Sequence, residues 1–170
     1  MAEGPELHPS LTPVAGLLGT FEGDGHGDYP TIEPFSYRER VTFDHVGKPF
    51  LTYHQRTWNP TTGAPMHAEV GYLRVPARGL VEVSAGPARI AVELVLAHPT
   101  GIAEVEEGEL DDGVLRLSTT TVGLAATAKD VRSLHREFRF DGSTISYDLW
   151  MAYAEVPETH HLHATLERVG

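Results

Sequence analysis

The feature that most constrains the fold is a long succession of short β-prone runs separated by turn residues. From Gly16 onward, segments rich in Val, Thr, Tyr, Phe and Leu alternate with short stretches of Gly, Pro, Asp and Asn, a pattern typical of strands joined by turns. Asn59-Pro-Thr-Thr-Gly, Asp111-Asp-Gly and Asp141-Gly are turn sequences of this kind. The pattern predicts an all-β fold in which consecutive strands pair as antiparallel hairpins.

The predicted elements are one short N-terminal helix and a series of strands. Ser10 is expected to cap the helix, which runs to Leu17 or Leu18. The strands are expected near residues 18–27, 35–44, 50–58, 67–75, 80–84, 90–97, 102–109, 114–120, 134–140, 144–152 and 161–169. About ten strands in meander order leave edges to cover, and closure into an antiparallel up-and-down β-barrel removes them. Such a barrel encloses a ligand-sized cavity. A sandwich of two sheets is the alternative architecture, because a single sequence does not encode closure.

Composition narrows the class of protein. At 170 residues the chain fits one domain, spanning residues 1–170. A net charge of -11 repels phosphate backbones and anionic membrane surfaces, so we expect neither nucleic acid nor a membrane as partner. The chain has no cysteine, which excludes disulfides, thiolate metal sites and covalent haem attachment. The N-terminus has neither a basic nor an apolar targeting region, and we expect a cytoplasmic protein.

Three of the ten histidines, His160, His161 and His163, lie close together where the last strand is expected. Neutral imidazole is well suited to hold a transition metal. Alternation along a strand places His160, Leu162 and Ala164 on one face and His161 and His163 on the other, so an apolar interior favours an inward His160. The two histidines on the other face could instead chelate zinc, although no third ligand is identifiable by spacing.

Several further motifs follow one another along the chain. They are Gly19-x-Phe21-x-Gly23-x-Gly25, Tyr29-Pro-Thr-Ile, Pro65-Met-His-x-Glu-x-Gly-Tyr, His98-Pro-Thr-Gly, Ala128-Lys-x-Val and His161-Leu-x-Ala-x-Leu-x-Arg. In this order, from Leu11 to Val169, they resemble the nitrobindin family of small all-β ferric haem proteins. The chain departs from the family pattern in having Phe21 where the glycine signature has tryptophan, and in extra residues at about 77–89, where strand register and the shape of the barrel mouth stay open.

The resemblance implies one ferric haem b per chain, bound non-covalently inside the barrel. It places the proximal iron ligand immediately before Leu-x-Ala-x-Leu, at His161, against the parity argument for His160. We expect His161 to escape parity because the start of a strand need not yet be pleated. The resemblance further places Thr31, Met66, His67 and Met151 near the haem, and Lys129 is the candidate cation for a haem propionate.

By the same resemblance, the chain is expected to bind nitric oxide and related nitrogen species and to isomerise peroxynitrite to nitrate, as a monomer or homodimer. Two other hypotheses stay open at this point. A barrel cavity also suits a carrier of a lipid or other apolar molecule, similar to lipocalins and fatty-acid-binding proteins, in which haem plays no part. The histidines could also serve a zinc hydrolase. Colour in the purified protein separates the haem hypothesis from the carrier.

Overall fold

The computed structural model describes residues 4–76, 80–81 and 89–170. A 3₁₀ helix, Pro9–Leu17, precedes the strands. The strands are β1 Gly19–Tyr29, β2 Ile32–His45, β3 Phe50–Trp58, β4 Pro65–Arg74, β5 Leu80–Val81, β6 Arg89–His98, β7 Ile102–Asp111, β8 Val114–Leu124, β9 Val131–Phe140, β10 Thr144–Tyr153 and β11 Val156–Arg168. The extra residues near 77–89, for which strand register and the shape of the barrel mouth were left open, lie largely outside the described residues. Among the described residues, no helix is long and apolar enough to cross a membrane.

The strands form a closed antiparallel barrel. Their hydrogen-bonded order is β4-β3-β2-β1-β11-β10-β9-β8-β7-β6, and β4 then pairs with β6 to complete a ring of ten. The two-residue β5 continues along the edge of β6, where Leu80 pairs with Ile90. The predicted up-and-down barrel with a short N-terminal helix is confirmed, and the alternative of a two-sheet sandwich is wrong.

The N-terminal helix differs in detail from the prediction. His8, not Ser10, is the N-cap residue, and its Nδ1 atom accepts a hydrogen bond of 3.3 Å from the backbone N–H of Ser10. The helix is a 3₁₀ helix, which has three residues per turn. Its fully buried residues Leu11, Val14 and Leu17 therefore recur at intervals of three and present one apolar face to the barrel core.

The barrel interior is built in three layers, which β3 shows in order. Leu51 and Tyr53 pack in the large apolar core, together with the helix side chains. Gln55, two residues further on, is a buried polar residue, and Thr57 lines a cavity. The alternating burial of β3 directs all four side chains inward. The apolar core thus occupies one end of the barrel, a polar layer follows, and the cavity occupies the other end.

The glycines of β1 make room for aromatic rings of β2. Gly25 pairs with Tyr37 and Gly27 pairs with Phe35. A Cβ atom on Gly25 would lie 2.1 Å from Tyr37 Cζ, and one on Gly27 would lie 2.2 Å from Phe35 Cζ. Both rings therefore lie against β1 where a side chain would otherwise stand, and both line the cavity. This packing is a physical reason for the spaced glycines in the sequence.

Substituting Gly25 tests that packing. Gly25→Ala should destabilise the protein by about 1–3 kcal/mol, because the new methyl group displaces the Tyr37 ring from a well-packed site. Gly123→Ala is the matched control: Gly123 also lies in a strand, but a Cβ atom there would meet Ala103 only at 3.8 Å, an ordinary contact. Urea unfolding of both variants measures the difference. Equal stability of the two variants would contradict the account of the glycine motif.

Candidate functional site

The cavity at the open half of the barrel has a volume of about 310 Å³. Its apolar wall comes mainly from β9, β10 and β11, and its polar wall from β3, β4 and β6. The apolar side chains include Ile102, Val131, Leu134, Leu149, Met151 and Leu162, and the polar ones include Thr57, His67, Glu69, His98 and His161. The volume lies at the lower end of the range for small-molecule sites, roughly 300–1,000 Å³.

His161 reaches this cavity through a β-bulge. Leu162 pairs with Leu149 and His160 pairs with Trp150, so His161 is an extra residue on β11 without a partner on β10. A bulge interrupts the alternation of side chains, and both His161 and Leu162 line the cavity. His161 was predicted to point inward because the strand would not yet be pleated at its first residue. That reason is wrong, because β11 already begins at Val156.

The neighbouring histidines lie on the outer surface of the barrel. The side chains of His160 and His163 are 46% and 51% exposed, and a ring nitrogen of each lies 2.9 Å from Asp148 Oδ1. The inward His160 that simple parity favours is therefore wrong. The pair of His161 and His163 cannot chelate one zinc ion from a single strand face either, because the bulge leaves them on opposite sides of the barrel wall.

The surroundings of His161 suit a metal ligand. Its Nδ1 atom lies 3.1 Å from the backbone carbonyl oxygen of Asp28, which accepts a hydrogen bond from Nδ1–H and leaves the lone pair on Nε2. Burial lowers the pKa of His161 below its usual value, although the hydrogen bond to Asp28 opposes this shift. The rings of Tyr29 and Phe35 pack edge-on against the imidazole, at 5.1 and 6.4 Å between centroids. The imidazole is thus oriented and kept neutral, as ligation requires.

The other predicted site residues fall into two groups. Met66, His67 and Met151 line the cavity together with His161. Thr31 lies exposed in the turn between β1 and β2, and Lys129 lies exposed just before β9. Neither is among the residues that line the cavity, so the parts assigned to Thr31 and Lys129 stay predictions.

A second polar group lies on the wall formed by β4 and β6. His67 Nε2 lies 3.1 Å from His98 Nδ1, and these nitrogens lie 3.6 and 3.7 Å from Glu69 Oε1. The Nε2 atom of His98 lies 2.5 Å from Glu104 Oε1, although not in hydrogen-bonding geometry. Of these residues, only His67 was predicted to be a site residue, and the one signal for Glu69 and Glu104 was their strand parity with inward apolar residues.

Arg136 is the centre of the buried polar layer beneath these residues. Its guanidinium donates to Glu69 at 3.1 Å, to Glu104 at 3.2 Å and to Glu106 at 2.8 Å. Burial is the largest influence and raises the pKa of Glu69, but Arg136, His67 and His98 together outweigh it and the net shift is downward. For Glu106, burial dominates and the pKa is raised well above its usual value. One guanidinium therefore does not fully compensate the three carboxyl groups.

A fourth buried carboxyl group, Glu39, extends this layer on β2. It accepts a hydrogen bond of 2.7 Å from the Tyr147 hydroxyl, which also contacts the Tyr37 hydroxyl at 2.8 Å. Burial raises the pKa of Glu39 to about 7 despite that hydrogen bond. Glu39 is thus a buried carboxyl group whose pKa is raised towards neutral pH.

These features fit the haem that the sequence resemblance implies. A neutral imidazole with its Nε2 lone pair free borders a cavity with an extensive apolar wall, which suits the porphyrin face. His161 is the residue that would hold the iron, and the apolar side chains of β9 and β10 would contact the macrocycle. With no cysteine in the chain, any such binding is non-covalent.

Comparisons with known proteins agree with this geometry. The model of the THAP4-like, heme-binding beta-barrel domain matches residues 10–168. "Peroxynitrite isomerase 2" of Mycobacterium marinum is 50% identical over 167 residues, covering 96% of this chain and 97% of that protein. "Peroxynitrite isomerase" of Nocardia farcinica is 51% identical over 166 residues, covering 95% and 92%. The crystal structure of Rv2717c from M. tuberculosis superposes with a TM-score of 0.85 at 45% identity, covering 97% of this chain and 100% of that one.

Proposed function

Since the chain belongs to the family of THAP4-like, haem-binding β-barrel domains, which is the nitrobindin family, we propose that it is a haem-dependent peroxynitrite isomerase. The observation that carries the proposal is the neutral, oriented imidazole of His161, delivered to an apolar cavity by a β-bulge. Relatives about half identical over nearly the whole chain bear the name of that enzyme.

In this proposal each part of the cavity has a task. His161 would hold the iron through Nε2, and the Asp28 carbonyl fixes the orientation of its ring. Bound haem would supply a Lewis-acidic iron that binds a small nitrogen oxide. Met66, His67 and Met151 line the cavity together with His161 and would shape the space open to that ligand. The apolar side chains exclude water, which strengthens the field of the polar groups in the cavity.

Finer features of the function are proposals as well. We infer one ferric haem b per chain, because one imidazole with a free Nε2 borders the cavity from β11. Nitric oxide and related nitrogen species are proposed as further ligands of the same iron. We propose a single domain over residues 1–170, a cytoplasmic location, and a monomer or homodimer without nucleic acid or membrane partners, in keeping with the net charge of -11.

Haem titration followed by a turnover assay tests the proposal. The wild-type protein should gain a Soret band on addition of haemin, saturate at one haem per chain, and release the haem into acidic organic solvent. The loaded protein should then accelerate peroxynitrite decay with nitrate as the product. A chain that stays colourless after haemin addition would instead support a carrier of another apolar ligand. Haem uptake without faster decay would support nitrogen-oxide binding alone.

The proposed contact between Lys129 and a haem propionate can be tested separately, and its expected effect is smaller. Lys129→Met removes the charge and keeps much of the length, so haem affinity should fall by about 1 kcal/mol, the scale of an exposed ion pair, while the Soret position stays the same. Lys48→Met is the control, because Lys48 is also exposed but follows β2 at the other end of the barrel. Equal haem affinity in the two variants would mean that Lys129 is a solvated surface residue without a contact to a haem propionate.

A further inference from the structure

The side chains of His67, Glu69 and His98 face His161 from across the barrel. In the ring of ten strands, β11 stands fifth in order from β4, and β6 stands tenth. The pair β4 and β6, which carries the three side chains, therefore lies on the wall opposite the bulge of β11. The three side chains converge on one point of that wall, and their ligand atoms all lie within 4.8 Å of one another.

The spacing of the three atoms matches one face of a tetrahedron. The edges of the triangle formed by His67 Nε2, His98 Nδ1 and Glu69 Oε1 measure 3.1, 3.6 and 3.7 Å. Ligands bound tetrahedrally to zinc, with bonds of about 2.0–2.2 Å, stand roughly 3.3–3.6 Å apart. An octahedral site for magnesium, with bonds of about 2.0–2.1 Å, would bring adjacent ligands to roughly 2.9 Å. Two imidazoles and a carboxylate also favour zinc over the oxygen-seeking cations.

We propose that His67, Glu69 and His98 form a binding site for a divalent ion of the zinc class, separate from the iron ligand His161. This inference does not rest on the proposed isomerase activity. Three protein ligands leave a fourth tetrahedral position, the arrangement of zinc sites that keep one position for water or a small anion. All three residues line the cavity, so the fourth ligand comes from the cavity itself.

The residues behind the triad hold its members in place. Arg136 donates to Oε2 and Oε1 of Glu69 at 3.1 and 3.3 Å, and the Tyr53 hydroxyl donates to Oε2 at 3.2 Å. Oε1 keeps a lone pair for a metal, since each carboxylate oxygen has two. On the far side of His98, Glu104 Oε1 lies 2.5 Å from Nε2. Although this contact is not in hydrogen-bonding geometry, Glu104 lies where a carboxylate usually supports a ligating histidine.

The balance of buried charges also favours a bound divalent ion. Glu69, Glu104 and Glu106 surround the single guanidinium of Arg136, and all four side chains are at most 6% exposed. The pKa values of Glu69 and Glu104 are lowered and that of Glu106 is raised, so two buried carboxylates share one guanidinium and require further compensating charge. A divalent ion between the histidines and Glu69 supplies it. The competing account is an ion-free wall in which His67 and His98 hydrogen-bond to each other, and the experiment below separates the two.

The site is tested by titrating zinc into the purified protein after it has been dialysed against a chelator. The outer group of His160, Asp148 and His163 could bind zinc on its own, so the parent protein for the test is His160→Ala/His163→Ala. Isothermal titration calorimetry with zinc chloride should give one ion per chain. His67→Ala and Glu69→Gln should each weaken binding at least about 100-fold, and Glu104→Gln about 10–100-fold, as for a residue that supports a ligand.

X-ray absorption at the zinc edge adds a direct reading of the coordination. Four nitrogen or oxygen ligands including two imidazoles would support the triad. Circular dichroism identifies variants that fail to fold, and Glu69→Gln keeps the shape of the side chain. Absence of zinc binding in the parent, or unchanged affinity in folded His67→Ala and Glu69→Gln, would overturn the proposal in favour of the ion-free histidine pair. Peroxynitrite takes no part in these measurements, so their outcome is independent of the isomerase.

Discussion

His161→Ala is expected to abolish native haem ligation while leaving the barrel folded. His161 is the imidazole that the bulge of β11 turns into the cavity, and a ligand bound directly to iron sets its electronic properties. The variant should lose the native Soret position and most peroxynitrite turnover, and should keep a β-rich circular dichroism spectrum. Absorption spectra after haemin addition, with stopped-flow decay of peroxynitrite, measure both effects.

The neighbouring histidines are the controls for this variant. His160→Ala and His163→Ala should keep the Soret position and the turnover, because both side chains lie outside the barrel against Asp148. Added imidazole should partly restore the spectrum of His161→Ala by entering the space that the side chain leaves. Loss of the Soret band in His160→Ala, with His161→Ala unaffected, would mean that the bulge lies elsewhere and that strand parity was the better guide.

The contrast between His160 and His161 marks the limit of what the sequence could predict. Alternating apolar residues and turn sequences were sufficient for the order of the strands, because each hairpin is a local feature, whereas closure into a barrel stayed open against a two-sheet sandwich. A bulge depends on the register between two strands. The extra residue at position 161 exists only relative to the pairing of β11 with β10. The motif resemblance gave the histidine that lines the cavity, and the residue pattern alone favoured its neighbour.

The buried polar layer was missed for a related reason. Glu104 and Glu106 share strand parity with the buried Leu110, so an inward direction was readable from their positions. Charged side chains at inward positions become plausible only when partners are known. The partner here is Arg136, which stands 30 residues from Glu106 and 67 residues from Glu69 in sequence. Only barrel closure brings them together.

The remaining prediction concerns that layer. Arg136→Met should destabilise the protein by about 3–5 kcal/mol at neutral pH, because it leaves Glu69, Glu104 and Glu106 buried without their common cation. Arg139→Met is the matched control on the same strand. Arg139 is 48% exposed, and its ion pairs with Glu137 and Asp148 lie at the surface, where such pairs contribute about 0–1 kcal/mol.

The pH dependence of that loss distinguishes a charge effect from a packing effect. In the wild type, burial raises the pKa values of Glu69 and Glu104, but Arg136 and the neighbouring histidines together outweigh burial and the net shift is downward. The contribution of these carboxylates to stability is therefore present above the unfolded pKa and is lost as the pH falls through the folded value. Arg136→Met removes the largest influence that opposes burial, so burial should raise these pKa values, and the variant should lose stability as the pH rises through them. The stability gap between wild type and Arg136→Met should therefore narrow from neutral pH towards about pH 5. Denaturant unfolding at both pH values measures the gap, and a gap independent of pH would assign the loss to packing around the Arg136 side chain.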